Sequence, residues 1–435
     1  MDKNHQQRNL FRSWSVQTGE ESPIIVGGQG VWFFDEKGKK YFDLSSQRVN
    51  LNLGHQHPAM VDAIKKQTET LCSVSQVFVS EARIKAANLI AKHTPGDLNK
   101  ILFTNSGTEA IENAIKISRI HTKKHKILSM YNSYHGSTAG AMSLTGDKRR
   151  LKNEPGIPGV IHFQGPNSYQ SKFFSTSEAE ETYRAIAHLS NIIEGEGPEN
   201  IAAIFIEPIV GSNGGIVPPQ GYLEQLRQLC DQHNILLVCD EVMMGFGRCG
   251  EWFSVNNWSV VPDLITFAKG VNSGYIPLGG VAISEKIAKT FETEYFPGGG
   301  TYYGHPLACA SAVAAIEIME KDNLISRAKF LGIEILNNQA KRWKENKLVG
   351  DVRGLGLFWV IELVKTKASR EPFLNDSEEI KFLKAELLNE GISTLVLQNK
   401  IYFCPPLIID NEELEFVSNK LDSILSIFEE KYYEY

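Results

Sequence analysis

Between about residues 75 and 300 the chain repeats one arrangement, a short apolar run followed by a helix-forming stretch, and this repeat restricts the fold more than any other feature. The runs are Ile101-Leu102-Phe103-Thr104, Lys126-Ile127-Leu128-Ser129-Met130, Ile201 through Ile206, Ile235 through Cys239, Leu264 through Phe267, and Gly279-Gly280-Val281-Ala282-Ile283. Ile235 to Cys239 is continuously apolar and Leu264 to Phe267 nearly so, the pattern of strands covered on both faces. Strands alternating with helices predict an α/β fold, with a mostly parallel mixed sheet between two helical layers. In open sheets of this kind ligands gather at the strand ends.

The flanking segments read differently. Residues 24–43 suggest a small antiparallel unit, with one turn at Gly27-Gly28-Gln29-Gly30 and another at Asp35-Glu36-Lys37-Gly38. No helix opens after the first glycines, so they mark a hairpin rather than a dinucleotide fingerprint. Beyond residue 306 the pattern predicts long helices over 306–321 and 324–343, a mixed unit around Val352 to Val364, and a closing amphipathic helix. Asp410 and Glu413 give that last helix a capping-type start, and Leu414, Val417, Leu421, Ile424 and Phe428 share one face. A chain of 435 residues exceeds the roughly 250–300 at which single cores stop growing. The expected division is a large domain over 71–310 and a small α+β domain built from 1–70 and 311–435.

Composition excludes several classes. The net charge of −6, from 45 basic and 51 acidic residues, leaves no nucleic-acid footprint. Lys123-Lys124-His125-Lys126 and Lys148-Arg149-Arg150 are short, lack interleaved aromatics, and read as solvated faces. The first twenty residues carry no apolar signal core, and no run reaches the ~18 apolar residues of a membrane span. A cytoplasmic protein is expected. The six cysteines form no Cys-x-x-Cys pair and read as reduced core thiols, and the eleven histidines show no metal-ligand spacing.

Two charges interrupt the apolar pattern where a ligand would lie. Asp240-Glu241-Val242 follows one buried strand, and Ala268-Lys269-Gly270 follows the next. An acid closing one buried strand and a lone lysine closing a later one are the two contacts that make pyridoxal phosphate reactive. The lysine amine condenses with the cofactor aldehyde and, once displaced by substrate, can shuttle a proton at the substrate carbon. The carboxylate keeps the pyridine nitrogen protonated, because an opposite charge at hydrogen-bond distance favours the charged form. Taken singly, a lysine there is a solvated loop residue and an aspartate a turn or helix cap.

Further elements join them. Asn105-Ser106-Gly107-Thr108-Glu109 follows the 101–104 strand and opens a helix whose Ile111, Ala114 and Ile115 share a face. Ser106 and Glu109 have capping-box spacing, which gathers free N–H groups and hydroxyls at a helix N-terminus able to bind phosphate. A plain helix cap is the alternative. Tyr134-His135-Gly136 lies beyond the next strand, where the tyrosine can stack on one face of a pyridine ring, while Val242 is placed to press on the other.

With these residues in view, the chain resembles the class III aminotransferases, fold-type I pyridoxal phosphate enzymes that include ω-amino acid, ornithine, 4-aminobutyrate and taurine transaminases. The resemblance runs nearly end to end, through Gly54-His55-His57-Pro58, Ser106-Gly107-Thr108-Glu109-Ala110, Tyr134-His135-Gly136, Glu207-Pro208, Asp240-Glu241-Val242, Gly245-Phe246-Gly247-Arg248, Lys269-Gly270, Thr301-Tyr302-Tyr303-Gly304-His305-Pro306, Arg353-Gly354-Leu355-Gly356 and Pro405-Pro406-Leu407. It implies that Lys269 holds the cofactor, Asp240 faces the pyridine nitrogen, and Ser106, Gly107 and Thr108 bind the phosphate. It makes Tyr134 the stacking ring, His135 a pocket neighbour, and Glu207 a pocket carboxylate of variable role. Thr301 would reach the phosphate held by the other subunit, which implies a homodimer with shared sites.

The same resemblance narrows the substrate. Ornithine and 4-aminobutyrate branches usually carry Gln after the Asp-Glu-Val triplet, where Met243 stands here. Asp240-Glu241-Val242-Met243, with Lys269 through Leu278, looks more like the taurine, β-alanine and other ω-amino acid enzymes that use pyruvate or 2-oxoglutarate. Such substrates carry an acid group away from the amine, and an arginine fork suits it. Arg48 is the candidate, with a dimer salt bridge as its other reading. Phe11 and Trp14 are candidate pocket walls or simple packing. The rival functions are an aminomutase or decarboxylase on the same scaffold, and a noncatalytic dimer.

Overall fold

The computed structural model describes residues 9–17 and 22–433. Its centre is a seven-stranded sheet in the order Lys100–Thr104, Gly279–Ile283, Leu264–Phe267, Leu236–Asp240, Ile201–Ile206, Lys126–Met130, Val160–Phe163. Gly279–Ile283 runs antiparallel to both neighbours, and the remaining pairs are parallel. The three strands Leu264–Phe267, Leu236–Asp240 and Ile201–Ile206 are buried at every residue, as their unbroken apolar runs predict.

Alternate residues of these strands serve opposite faces. Phe205 and Val238 pack in one cluster with Ala110, Ile111 and Ala114 of helix Gly107–Thr122. Ile204 and Leu237 pack in another with Leu189 and Ile193 of helix Glu178–Glu196 and Leu226 of helix Tyr222–His233. Each such side chain adds about 1.5–3 kcal/mol by leaving water, and truncating Leu237 to Ala would cost about 2–5 kcal/mol.

The strand Val160–Phe163 is absent from the sequence reading. It is a short edge strand in which His162 interrupts the apolar run and one residue of the four is buried. At the 235–239 run the strand starts at Leu236 and closes on Asp240 itself. Residues 324–343 do not form one regular helix. Leu324–Phe330 and Asn337–Trp343 flank a wider π turn, Leu331–Leu336, where a Cβ on Gly332 would come within 2.7 Å of the Gly356 backbone.

Two four-stranded sheets flank the centre. One joins Ile25–Gln29, Trp32–Asp35 and Lys40–Asp43 to Ile392–Ser393, so both ends of the chain share a sheet. Here Gly27 and Gly28 lie inside the first strand rather than in a turn, and the reversal falls at Gly30, with φ +58. The reason is crowding, since a Cβ on Gly27 would strike the Phe34 ring at 2.5 Å and one on Gly28 the His55 ring at 2.8 Å. The other sheet holds Val349–Leu355, Phe358–Leu363, Lys400–Phe403 and Val396–Leu397. Asp410 and Glu413 form a reciprocal capping box on helix Asn411–Tyr432, which buries Leu414, Val417, Leu421, Ile424 and Phe428. No helix among the described residues is long and apolar enough to cross a membrane.

Candidate active site

Five parallel strands bring their carboxyl ends to one edge of the large sheet, and each delivers a polar group there. Lys100–Thr104 leads to Ser106, Lys126–Met130 to Tyr134 and His135, Ile201–Ile206 to Glu207, Leu236–Asp240 ends on Asp240, and Leu264–Phe267 leads to Lys269. The convergence follows from the alternation in the sequence, because each crossover returns the chain to the same edge.

Asp240 is buried and hydrogen-bonded through both oxygens. Its Oδ2 lies 2.8 Å from His135 Nδ1, and its Oδ1 accepts from the Val242 N–H at 3.0 Å and the Thr266 hydroxyl at 3.1 Å. A carboxylate only accepts, so Nδ1 carries the hydrogen, and His135 Nε2 is buried without a partner among the described residues. Burial works against a charged His135, but the hydrogen bond and charge of Asp240, joined by Glu207 and Asp147, outweigh it and raise its pKa above the ordinary value. Thr266 has no signal in the sequence. Strand register alone places it opposite Asp240.

Glu207 is buried and accepts backbone N–H groups from Tyr134 at 3.0 Å and Gly211 at 2.9 Å. Burial pushes its carboxyl up to about 7, with His135 opposing and Asp240 adding to the rise. The neighbouring Glu241 points elsewhere. It accepts from Ser254 N–H, Ser254 hydroxyl and Val255 N–H at 2.8–2.9 Å and anchors that loop.

Lys269 is half-buried and opens a tight turn in the left-handed region, at φ +46. A non-glycine residue there costs about 1 kcal/mol or more and persists only where its surroundings dictate it. Burial lowers the pKa of its amine below the lysine norm, the Asp240 and Glu207 carboxylates oppose that, and the Arg48 and Arg149 cations add to it.

At the start of helix Gly107–Thr122, Ser106 caps the Glu109 N–H at 3.4 Å, while Glu109 accepts from Asn105 N–H at 2.7 Å. The carboxylate therefore reaches one residue beyond the cap that a capping box would use. The Gly107 and Thr108 N–H groups have no intrahelical acceptor. A Cβ on Gly107 would stand 2.7 Å from Val242 Cγ1, and one on Gly136 2.3 Å from Thr108 Oγ1. These close approaches bring Val242 and the 134–138 loop onto the helix end, where Thr138 N–H donates to Thr108 Oγ1 at 3.1 Å.

Arg48 is exposed on a strained segment, with φ +47 at Ser46, +60 at Gln47 and +58 at Val49. Buried Asp43 holds Gln47 through its N–H at 2.8 Å and its amide at 2.9 Å, and Arg248 donates to Ser46 Oγ at 3.1 Å. The Arg48 charge acts on Tyr134 and Lys269. Trp14 meets the Tyr134 ring edge-on at 6.0 Å, whereas Phe11 is 88% exposed and has no ring contact among the described residues. Thr301 is exposed, and a Cβ added at its neighbours Gly299 or Gly304 would meet the Gln76 or Arg83 side chain.

Two expectations change. Within Lys148-Arg149-Arg150, Lys148 is exposed but Arg149 folds over the Tyr134 ring at 3.8 Å from the centroid, held by Asp147. Cys72 is exposed, while the other five cysteines are buried and free. Among the described residues no group of three or more His, Cys, Asp or Glu is arranged to hold a metal ion.

Residues 15–425 match the family described as Aminotransferase class-III. The taurine:2-oxoglutarate aminotransferase of Bifidobacterium kashiwanohense, solved in complex with PLP and glutamate, has a TM-score of 0.94 and 40% identity over 97% of this chain and 96% of that one. The taurine–pyruvate aminotransferase of Bilophila wadsworthia is 32% identical, over 95% of this chain and 94% of its own length. A probable 4-aminobutyrate aminotransferase of Bacillus subtilis (strain 168) is 33% identical, over 94% of each chain.

Proposed function

The chain belongs to the class-III aminotransferases, and on that premise we propose that it moves an amino group from an ω-amino acid of the taurine, β-alanine or 4-aminobutyrate type to pyruvate or 2-oxoglutarate. It is a pyridoxal phosphate enzyme. Two features suit the cofactor. Asp240 and Glu207 are buried and both act on Lys269, which favours a cationic ring beside them, and the glycines at 107 and 136 let Val242 and the 134–138 loop close around a helix N-terminus whose free N–H groups suit a phosphate.

Pyridoxal phosphate supplies an aldehyde carbon that takes up the amino group and a ring that withdraws electrons from the bond to be broken. The rest is protein chemistry. Lys269 Nζ, its pKa lowered, is able to be a neutral nucleophile that holds the cofactor and, once released, carries the proton taken from the substrate carbon. Asp240 would keep the ring nitrogen protonated, and its contact with His135 favours the protonated imidazole, which offsets the repulsion between that carboxylate and Glu207. Ser106, Gly107 and Thr108 would hold the phosphate, and Tyr134 and Val242 would pack against the ring. Arg48 and Arg149 are the two arginines whose charge acts at Lys269, and the acid group of the substrate goes to one of them.

The observation that carries the reading is the placement of Asp240 and Lys269 at the ends of adjacent strands, with His135 hydrogen-bonded to Asp240. Initial rates measured while donor and keto acid are both varied should give the parallel lines of a ping-pong mechanism. Turnover without any keto acid would point instead to an aminomutase or decarboxylase.

The proposal extends to a cytoplasmic homodimer with shared sites. Exposed Val77, Phe78, Val79 and Tyr302 support a dimer face beside Thr301, and the unpaired cysteines accord with a reducing compartment. Sedimentation should give twice the chain mass, and Thr301→Ala should weaken cofactor binding without dissociating the dimer.

A further inference from the structure

Arg149 is the cation that its basic run concealed. Its guanidinium carbon lies 3.8 Å from the Tyr134 centroid and 5.8 Å from that of Trp14. Nε donates to Asp147 Oδ1 at 3.1 Å and Oδ2 at 2.8 Å, and Nη2 donates to Asp147 Oδ2 and, at 2.9 Å, to Ser212 Oγ. Asp147 is fixed in turn by the Arg149 N–H at 2.8 Å and the Asn213 amide at 2.9 Å. One edge of the fork is thus locked to the protein. The other, Nη1 with two hydrogens, has no partner among the described residues, and a third of the side chain remains exposed.

We propose that Arg149 reads the distal acid of the amino donor, its Nη1 edge donating to a carboxylate or sulfonate oxygen while the donor's amine points at Lys269. The inference rests on the transaminase reading above. Two properties, the clamp and the aromatic seat, favour Arg149 over Arg48 for this task. The guanidinium is held from behind, so little side-chain freedom remains to be lost on binding. It sits on the ring offered for cofactor stacking, with Trp14 over both, so a bound acid group would be partly shielded from water. Its charge, like that of Arg48, acts at Lys269. Arg48, by contrast, has no side-chain anchor among the described residues, and ordering it on a ligand costs more.

A purely mechanical role, pinning Tyr134 from one side, is the competing account, and donor selectivity separates the two. Holoenzyme and its Arg149→Gln and Arg149→Lys variants are compared with taurine, β-alanine and n-propylamine, reading kcat/KM for each donor. The ratio of each acid donor to propylamine should fall about 10- to 100-fold in the Gln variant, the worth of a charge-assisted hydrogen bond. Lysine should restore part of it, returning the charge without the fork. Inhibition by ethanesulfonate or propionate, which carry the acid but no amine, should weaken in parallel and needs no amine turnover. Asp147→Asn, which loosens the clamp, should lower the ratio in the same direction. A fall for one acid alone assigns Arg149 to that acid. Loss spread equally over acid donors and propylamine, with unchanged inhibition by the amine-free acids, overturns the inference and leaves the transaminase reading standing. Failure of the unmodified holoenzyme to react with any acid-bearing donor overturns both.

Discussion

His135 Nδ1 and Asp240 Oδ2 stand 2.8 Å apart with both side chains buried, which fixes the orientation of the aspartate on the edge of the sheet where Lys269 opens its turn. The pair explains how two acids, Asp240 and Glu207, share a small buried volume. Asp240 is the main influence favouring the protonated imidazole against the cost of burial, and in that form His135 offsets the repulsion between the two acids.

Asp240→Asn removes the charge that holds both His135 and the ring nitrogen in their protonated forms. Amino transfer should slow roughly 10²–10³-fold, the loss typical of a preorganised electrostatic contact, while the cofactor still binds. Single-turnover rates of the variant give the test, and a loss under tenfold would mean that Asp240 is not the ring's partner.

Lys269→Ala should leave a folded protein that binds the cofactor without attaching it. Borohydride treatment should fix the cofactor permanently to the parent protein, on the peptide carrying Lys269, and to no residue of the variant. Mass spectrometry of the digests reads this directly, and a label on another lysine would contradict the assignment.

Glu207, with its carboxyl near 7 in the folded chain against an ordinary 4.5, gives stability a definite pH slope. Between those values the folded chain holds a proton that the unfolded chain has released. The cofactor-free protein should therefore lose stability as pH rises from 4.5 toward 7 and change little above, by up to about 3 kcal/mol for this group. Glu241, also near 7 through burial, acts in the same window. Melting temperatures from pH 5 to 8 should fall, and Glu207→Gln should flatten the decline. An unchanged slope would show that Glu207 is not the titrating group.

Gly107→Ala places a Cβ 2.7 Å from Val242 Cγ1. Either the helix end or Val242 must yield, at the roughly 1–3 kcal/mol typical of overpacking. The dissociation constant of pyridoxal phosphate should rise about tenfold or more with the circular dichroism unchanged, and equal affinity would place the phosphate elsewhere.

Much of this site is legible in the sequence because its members terminate apolar runs. Asp240, Lys269, Ser106 and Glu207 follow strands recognisable from composition alone, and charges at such positions lie on the ligand edge of the sheet. Thr266 was not legible, since it is one residue of an apolar strand and acquires its role through register with Asp240. Arg149 was hidden for another reason. A run of three basic residues resembles a solvated face, and only the return of the 147–150 loop toward Ser212 and Tyr134 turns its middle member inward. The edge strand Val160–Phe163 escaped because an edge tolerates the half-polar pattern that a central strand does not.

The most direct test is the visible spectrum of the holoenzyme when taurine or β-alanine is added without acceptor, followed by pyruvate or 2-oxoglutarate. The account predicts that an ω-amino acid bleaches the band of the protein-bound cofactor in a single turnover and that a keto acid restores it. A band that persists with every donor, or bleaches and is restored by no keto acid, would contradict amino transfer at Lys269.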